Sequence, residues 1–219
     1  MLVDTLISSA IWTTLQIILF QWPDLSSYKL KRVPYLDFRN RMVSFIHGLL
    51  AIFLSFYCMV SQNAYCGTPT TSLEYGILIM SSGYFSYDFL AMAYFNLLDF
   101  DMTVHHLLCI FGMMVTLHQE VGSNHVVAGL FVAEISNPAM HMRILLKHIG
   151  LRYSRAYEIA EFCYFTTFFI GRMIVGHPVV FYTVTCDKMN YLGRFVSLGV
   201  LAQSYQFLYR MYFIVVRRF

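Results

Sequence analysis

The chain has 219 residues, of which 58% are hydrophobic, 17% aromatic and only 12% charged, where soluble domains carry about 25% charged residues. Fifteen Lys and Arg with twelve Asp and Glu cannot cover a water-facing globule of this size, so a soluble fold is excluded. The same hydrophobicity excludes intrinsic disorder, and a net charge of +3 with no basic run beside an aromatic platform excludes nucleic acid as a partner.

A membrane-crossing helix needs about 20 mostly apolar residues. Seven such spans are predicted in chain order: residues 2–21, 42–61, 75–98, 102–118, 125–146, 157–175 and 191–216. The fold class expected is all-α, a polytopic membrane helical bundle of about seven transmembrane helices. No basic segment precedes the first span, which reads as uncleaved. A basic loop, residues 28–41 with Pro34 inside it, follows. The fourth span is short and rich in His and Met, and Gly176, His177 and Pro178 are read as a break within a longer sixth element. The fifth contains Pro138, which has no N–H to offer the carbonyl of Glu134 and is expected to kink the helix there.

The basic residues orient the bundle. Lys29, Lys31, Arg32, Arg39 and Arg41, then Arg143, Lys147, Arg152 and Arg155, then Arg210, Arg217 and Arg218 fall at one side of a seven-span arrangement, against Lys188 in a loop on the other. Positive residues stay in the cytosol, so the C-terminus is expected there and the N-terminus in the lumen or outside. Endoplasmic reticulum and plasma membrane both fit. Cys66 and Cys186 then fall in loops on the oxidising side, where a disulfide or two free thiols are alternative expectations. Cys58, Cys109 and Cys163 lie in spans and read as packing residues.

Ionisable groups inside spans are costly and by default functional. Here they are His47, Asp88, His105, His106, Glu134, His141, Glu161 and Arg172. At 1.5 Å per residue, helices two to six each place one between the midplane and the cytosolic end, which suggests a cavity open to that leaflet. Asp101 and His105 are four apart, so the carboxylate is expected to orient the imidazole. His106 points about 100° away, letting one His face the cavity while a neighbour holds the other. Glu134, Asn137, Pro138 and His141 share a face, and Gln203, Gln206 and Arg210 repeat that spacing on the last span. Tyr84 and Tyr87 offer hydroxyls. Arg172 is read as reaching for headgroups or pairing with a carboxylate. A plainer reading stands beside each of these: a lone His such as His47 is a hydrogen-bonded helix tie, and Asp88 and Glu134 tie helices together.

Several chemistries are set aside. There are no spaced His boxes for a di-iron site, no HExxH, no mid-span Lys in the last helix for a retinal Schiff base, no Gly-rich phosphate loop and no internal repeat of a transporter. No metal and no bound cofactor is expected.

The order Arg41-x-x-Ser44-x-x-His47-Gly48, Gly83-Tyr84-Phe85-x-Tyr87-Asp88, Asp101-x-x-x-His105-His106 and Glu134-x-Ser136-x-Pro138 with Arg143 resembles the TLC-domain family, over about residues 38–215. That family includes the ceramide synthases. The resemblance implies a first helix and basic loop at residues 1–37 and a TLC-like domain at 38–219, with six helices forming its core. In ceramide synthases the paired His moves an acyl group from acyl-CoA to a sphingoid amine. The resemblance therefore implies His105 and His106 as nucleophile or general base, Asp101 or Asp88 as orienting carboxylate, and acyl-CoA as co-substrate. His47, Tyr87, Glu134, His141, Glu161 and Gln206 are the expected substrate-binding residues. The aspartate cluster that follows the His pair in ceramide synthases is missing, since no Asp occurs between Asp101 and Asp187. Membrane lipids are the expected partners, with a homodimer as a further expectation. Two readings stand: a lipid acyltransferase-like enzyme, and a non-catalytic lipid-binding protein that regulates phospholipid composition.

Overall fold

The structure, a computed structural model, describes residues 1–21 and 28–216. Arg217 and Arg218, assigned above to the last basic cluster, lie outside the described residues. The element order is α1 Leu2–Gln21, α2 Arg32–Ser61, α3 Ser72–Tyr94, α4 Phe100–Gln119, α5 Ser123–Glu134, α6 Asn137–His148, α7 Arg155–Phe168, a π segment Phe169–Val175, α8 Gly176–Thr185 and α9 Tyr191–Val216. The α5–α6 pair forms one pass and α7 through α8 another, which makes seven passes among the described residues. Among the described residues four stretches are long and apolar enough to cross a membrane: α1, α2, α4 and the continuous run Arg155–Thr185.

Three boundaries differ from the sequence expectation. Helix α2 starts at Arg32, so the basic stretch is largely helical; Pro34 falls in its first turn, where the missing N–H has no intrahelical partner to lose. The sixth pass runs on to Thr185. Where Gly176, His177 and Pro178 suggested a break, the chain winds into a π turn and stays helical, with Gly176 N–H bonded five residues back to Gly171 O. The fifth pass is interrupted at Ile135 and Ser136, as Pro138 requires, and splits into α5 and α6.

Side-chain caps define several starts. Thr71 and Glu74 form a capping box on α3, with Thr71 N–H donating to Glu74 Oε2 at 2.8 Å and Glu74 N–H to Thr71 Oγ1 at 3.2 Å. Asp99 Oδ1 accepts from Met102 N–H at 2.8 Å to cap α4, and Ser154 caps α7.

Helix α3 is central. Ile77, Leu78, Ser81, Ser82, Tyr84, Tyr87 and Asp88 are all buried on it, covering more than one face. Such a helix meets protein over most of its circumference, so polar residues are tolerated there where a lipid-facing helix would exclude them. Its tightest neighbour is α1, which buries only the stripe Thr5, Ser8, Trp12 and Gln16. Trp12 Nε1 and Ser8 Oγ donate to Met80 O at 3.1 and 3.3 Å. A side chain on Gly83 would fall against Ser8 and 2.9 Å from the Ser9 backbone nitrogen, so glycine here sets the approach of the two helices. At one end of the bundle a Cys66–Cys186 disulfide joins the α2–α3 and α8–α9 connections; the basic clusters lie at the other end.

Candidate functional site

Near the basic end, α2, α3 and α4 enclose a fully engaged polar cluster. Asp88 on α3 sits at its centre, with Oδ2 2.8 Å from His106 Nε2 and Oδ1 accepting from Asn40 Nδ2 at 2.7 Å. His106 Nδ1 lies 2.7 Å from Met102 O, the carbonyl one turn back on α4. Both ring nitrogens of His106 are thus engaged. Asn40 Oδ1 accepts from Tyr87 OH at 3.1 Å and from Gln16 Nε2 at 3.3 Å, which brings α1 into the cluster. Asp88, His106, Tyr87 and Asn40 are each 4% exposed or less.

The second His is held differently. Gln203 Nε2 on α9 donates to Asp101 O at 2.8 Å, which turns Gln203 Oε1 toward His105 Nδ1, 3.1 Å away. An amide oxygen only accepts, so His105 carries a proton on Nδ1, and in the neutral imidazole Nε2 is then unprotonated. Cys109 Sγ, one turn on along α4, lies 3.9 Å from that ring nitrogen. The carboxylate of Asp101, expected to orient His105, instead accepts from Gln206 Nε2 at 2.7 Å and pairs with Arg210. The reason is the register of α9: Gln203, Gln206 and Arg210 present one stripe to the first turn of α4, and the carboxylate meets them before it can fold back on its own helix.

The remaining predicted residues separate into two places. His47, fully buried on α2, stacks on Tyr84 with ring centroids 3.7 Å apart, meets Ser81 Oγ at 3.3 Å through Nε2, and has Nδ1 3.9 Å from Glu134 Oε2. Glu134 Oε2 also accepts from Asn137 Nδ2 at 2.9 Å across the α5–α6 break. His141 is buried as well. Glu161 stands apart: it pairs with Arg143 at 2.9 Å and accepts from Tyr157 OH at 3.3 Å, tying α6 to α7.

Around Asp88 and His106 the polar groups are bonded to one another in a buried cluster. An apolar cavity of about 130 Å³ lies beyond it toward the disulfide end, between α4, α5, α8 and α9. Phe85, Cys109 and Ala133 line it, as do Gly112, Thr116 and Val196. A smaller space of about 50 Å³ adjoins it, sharing Gly129, Ala133, Val179, Val180 and Val200, and Arg172 lines this space. Arg172, expected to reach for headgroups or pair with a carboxylate, is in ion-pair contact with no carboxylate among the described residues. It is 5% exposed and donates to Ala133 O at 2.8 Å and Ser204 Oγ at 3.3 Å.

Sequence reasoning missed Asn40, Gln16 and Cys109. Asn40 precedes Ser44, His47 and Ala51 at helical spacing, and all four are buried; starting the second span at Met42 hid that face. Cys109 follows His105 by one turn and was assigned to packing.

A model of the TLC domain matches residues 37–216. TLC domain-containing protein 4 A of Dictyostelium discoideum is 29% identical over 133 residues, covering 58% of this chain and 52% of that protein, so the chain spans about half the length of this relative. No solved structure matches. With a family match over most of its length and helices apolar enough to span a bilayer, the chain is a membrane protein that belongs to the TLC domain family.

Proposed function

We propose that the protein is a lipid-modifying enzyme that transfers an acyl group, with His105 as the proton-accepting residue and the apolar cavity as the seat of the acyl chain. One observation carries this reading: the Gln203 amide, turned by Asp101 O, leaves His105 Nε2 unprotonated one turn from the cavity wall at Cys109. A base held in one tautomer by a neighbouring group is what general-base catalysis requires. His106, with both nitrogens engaged, holds α4 against α3 through Asp88 and so positions His105 beside it.

In the step proposed, an amine or hydroxyl attacks the carbonyl carbon of an acyl thioester such as acyl-CoA. His105 Nε2 takes the nucleophile's proton as the new C–N or C–O bond forms. The C–S bond breaks, and the proton passes to the departing thiolate. The basic end would face the cytosol, where acyl-CoA is supplied.

The non-catalytic reading is favoured by the mutual saturation of the Asp88 cluster, whose polar groups are spent on one another. Lipidomics separates the two. Cells lacking the protein are complemented with wild type, His105→Ala or His106→Ala at matched abundance. The enzyme reading expects His105→Ala to leave the lipid profile uncorrected; full correction by that variant, with lipid still co-purifying, sinks it in favour of lipid binding and regulation of phospholipid composition.

A further inference from the structure

Arg172 is a guanidinium in the middle of a helical bundle, and its partners do not neutralise it. The carbonyl of Ala133 and the hydroxyl of Ser204 are neutral acceptors, the face of Phe168 lies 5.5 Å from its carbon, and its Nε is buried without a hydrogen-bond partner. Among the described residues no carboxylate is in ion-pair contact with it. The neighbouring acid, Glu134, is turned toward Asn137 and His47.

The local backbone is arranged to put the guanidinium there. The π segment displaces the helix at Arg172, and Gly171 allows close approach to α5: a Cβ there would meet Ile135 Cγ2 at 2.8 Å and Val132 O at 3.1 Å. Opposite, the α5–α6 break leaves the Ala133 carbonyl available to accept from Arg172. Two irregularities thus meet on one side chain. A buried charge with no counter-charge in contact is costly, and π turns of this kind recur at functional sites.

The guanidinium borders the 50 Å³ space, which adjoins the 130 Å³ apolar cavity and shares Gly129, Ala133, Val179, Val180 and Val200 with it. The cavity runs along α4 from Leu108 to Thr116, about 12 Å of helix. Its volume is close to that of an engineered lysozyme cavity of about 150 Å³ that admits benzene, an example of how apolar cavities take apolar guests. One anion-binding group at the end of a narrow apolar slot describes a single-chain amphiphile with a small anionic head.

We propose that this slot binds a fatty acid, its carboxylate on Arg172 and its chain between α4, α5, α8 and α9. A planar fork of N–H donors matches a carboxylate, and a space of about 50 Å³ beside it leaves little room for a phosphate with its glycerol. Binding does not depend on acyl transfer at His105: in an enzyme the fatty acid competes with the thioester's acyl chain for this cavity, and in a lipid-binding protein it is the ligand itself.

The test is equilibrium binding of radiolabelled decanoic acid to the purified full-length protein in nanodiscs, with decanol and a lysophosphatidic acid as competitors. Decanoate is expected to bind at least tenfold tighter than decanol, and Arg172→Gln to remove that preference while Arg172→Lys keeps part of it. Gly129→Leu tests the slot with Arg172 intact. Gly129 lines both spaces and a Cβ on it meets nothing within 4 Å, so the larger side chain enters the void without backbone strain. It is expected to fold and to weaken decanoate and decanol alike, which keeps the test decisive if Arg172→Gln does not fold. Wild-type affinity for decanoate in Gly129→Leu, equal binding of decanoate and decanol by wild type, or tighter binding of lysophosphatidic acid overturns the proposal. Lipidomic correction by His105→Ala bears on the enzyme reading alone.

Discussion

Asp88 shows how a single buried carboxylate organises a membrane site. Its two oxygens serve different helices, His106 on α4 and Asn40 on α2, so removing it leaves an imidazole and an amide unpaired in a low-dielectric interior. Breaking a buried pair on one side costs about 3–5 kcal/mol, whereas replacing both partners by apolar groups costs far less. Asp88→Leu is therefore expected to lower the temperature at which the purified protein loses its monodisperse elution profile, and His106→Leu to do the same. The double variant should lose less than the two single losses added together; additive losses would mean that the pair is not coupled. That Asp88 and His106 need partners was legible from their depth in the spans, since ionisable groups in lipid demand an explanation. Their pairing was not, because it depends on the rotation of α3 against α4, which no spacing within one helix reports. The Asp101–His105 expectation failed for the same reason: four-residue spacing makes a contact available, and α9 supplied better donors.

At the level of elements, the sequence marked where helices stop being regular but not what the irregularity accomplishes. Pro138 announced the α5–α6 break because a missing N–H is a local property. The π segment had no such signal, for Gly171 and Gly176 flanking Arg172 are also compatible with an unbroken helix or a loop. Its role emerges from the contact it permits. Two glycines facing the same region should respond oppositely to one substitution. Gly171→Ala places a Cβ 2.8 Å from Ile135 Cγ2 and 3.1 Å from the Val132 carbonyl, and backbone cannot yield cheaply, so a loss of about 1–3 kcal/mol is expected. Gly129→Ala meets open space and should gain about 0.5–1 kcal/mol from helix propensity. Thermal stability of the two variants in one detergent measures both signs. Combining Gly171→Ala with Ile135→Ala should recover part of the loss, because one of the two clashes is removed while the carbonyl remains.

For the whole molecule, two rules that share no physics bear on orientation. Positive residues resist transfer across the membrane, and they cluster at the ends of α1–α2, α6–α7 and α9. Disulfides persist only in an oxidising compartment, and Cys66 and Cys186 are joined at the opposite end, across 120 residues of chain. Each rule could have contradicted the other. From their agreement we propose that the basic end lies in the cytosol and the disulfide on the lumenal or outer side, which would also put His105 near the cytosolic supply of thioesters. Sealed, cytosol-out microsomes give the check. After mild reduction with a permeant reductant, Cys66 should react with a membrane-impermeant maleimide only once the vesicles are permeabilised. Lys29→Cys, in the exposed turn before α2, should react in intact vesicles. The reverse pattern would place acyl-CoA on the wrong side of the bundle, and the acyl-transfer reading would fall while the fatty-acid slot at Arg172, buried from both faces, would stand.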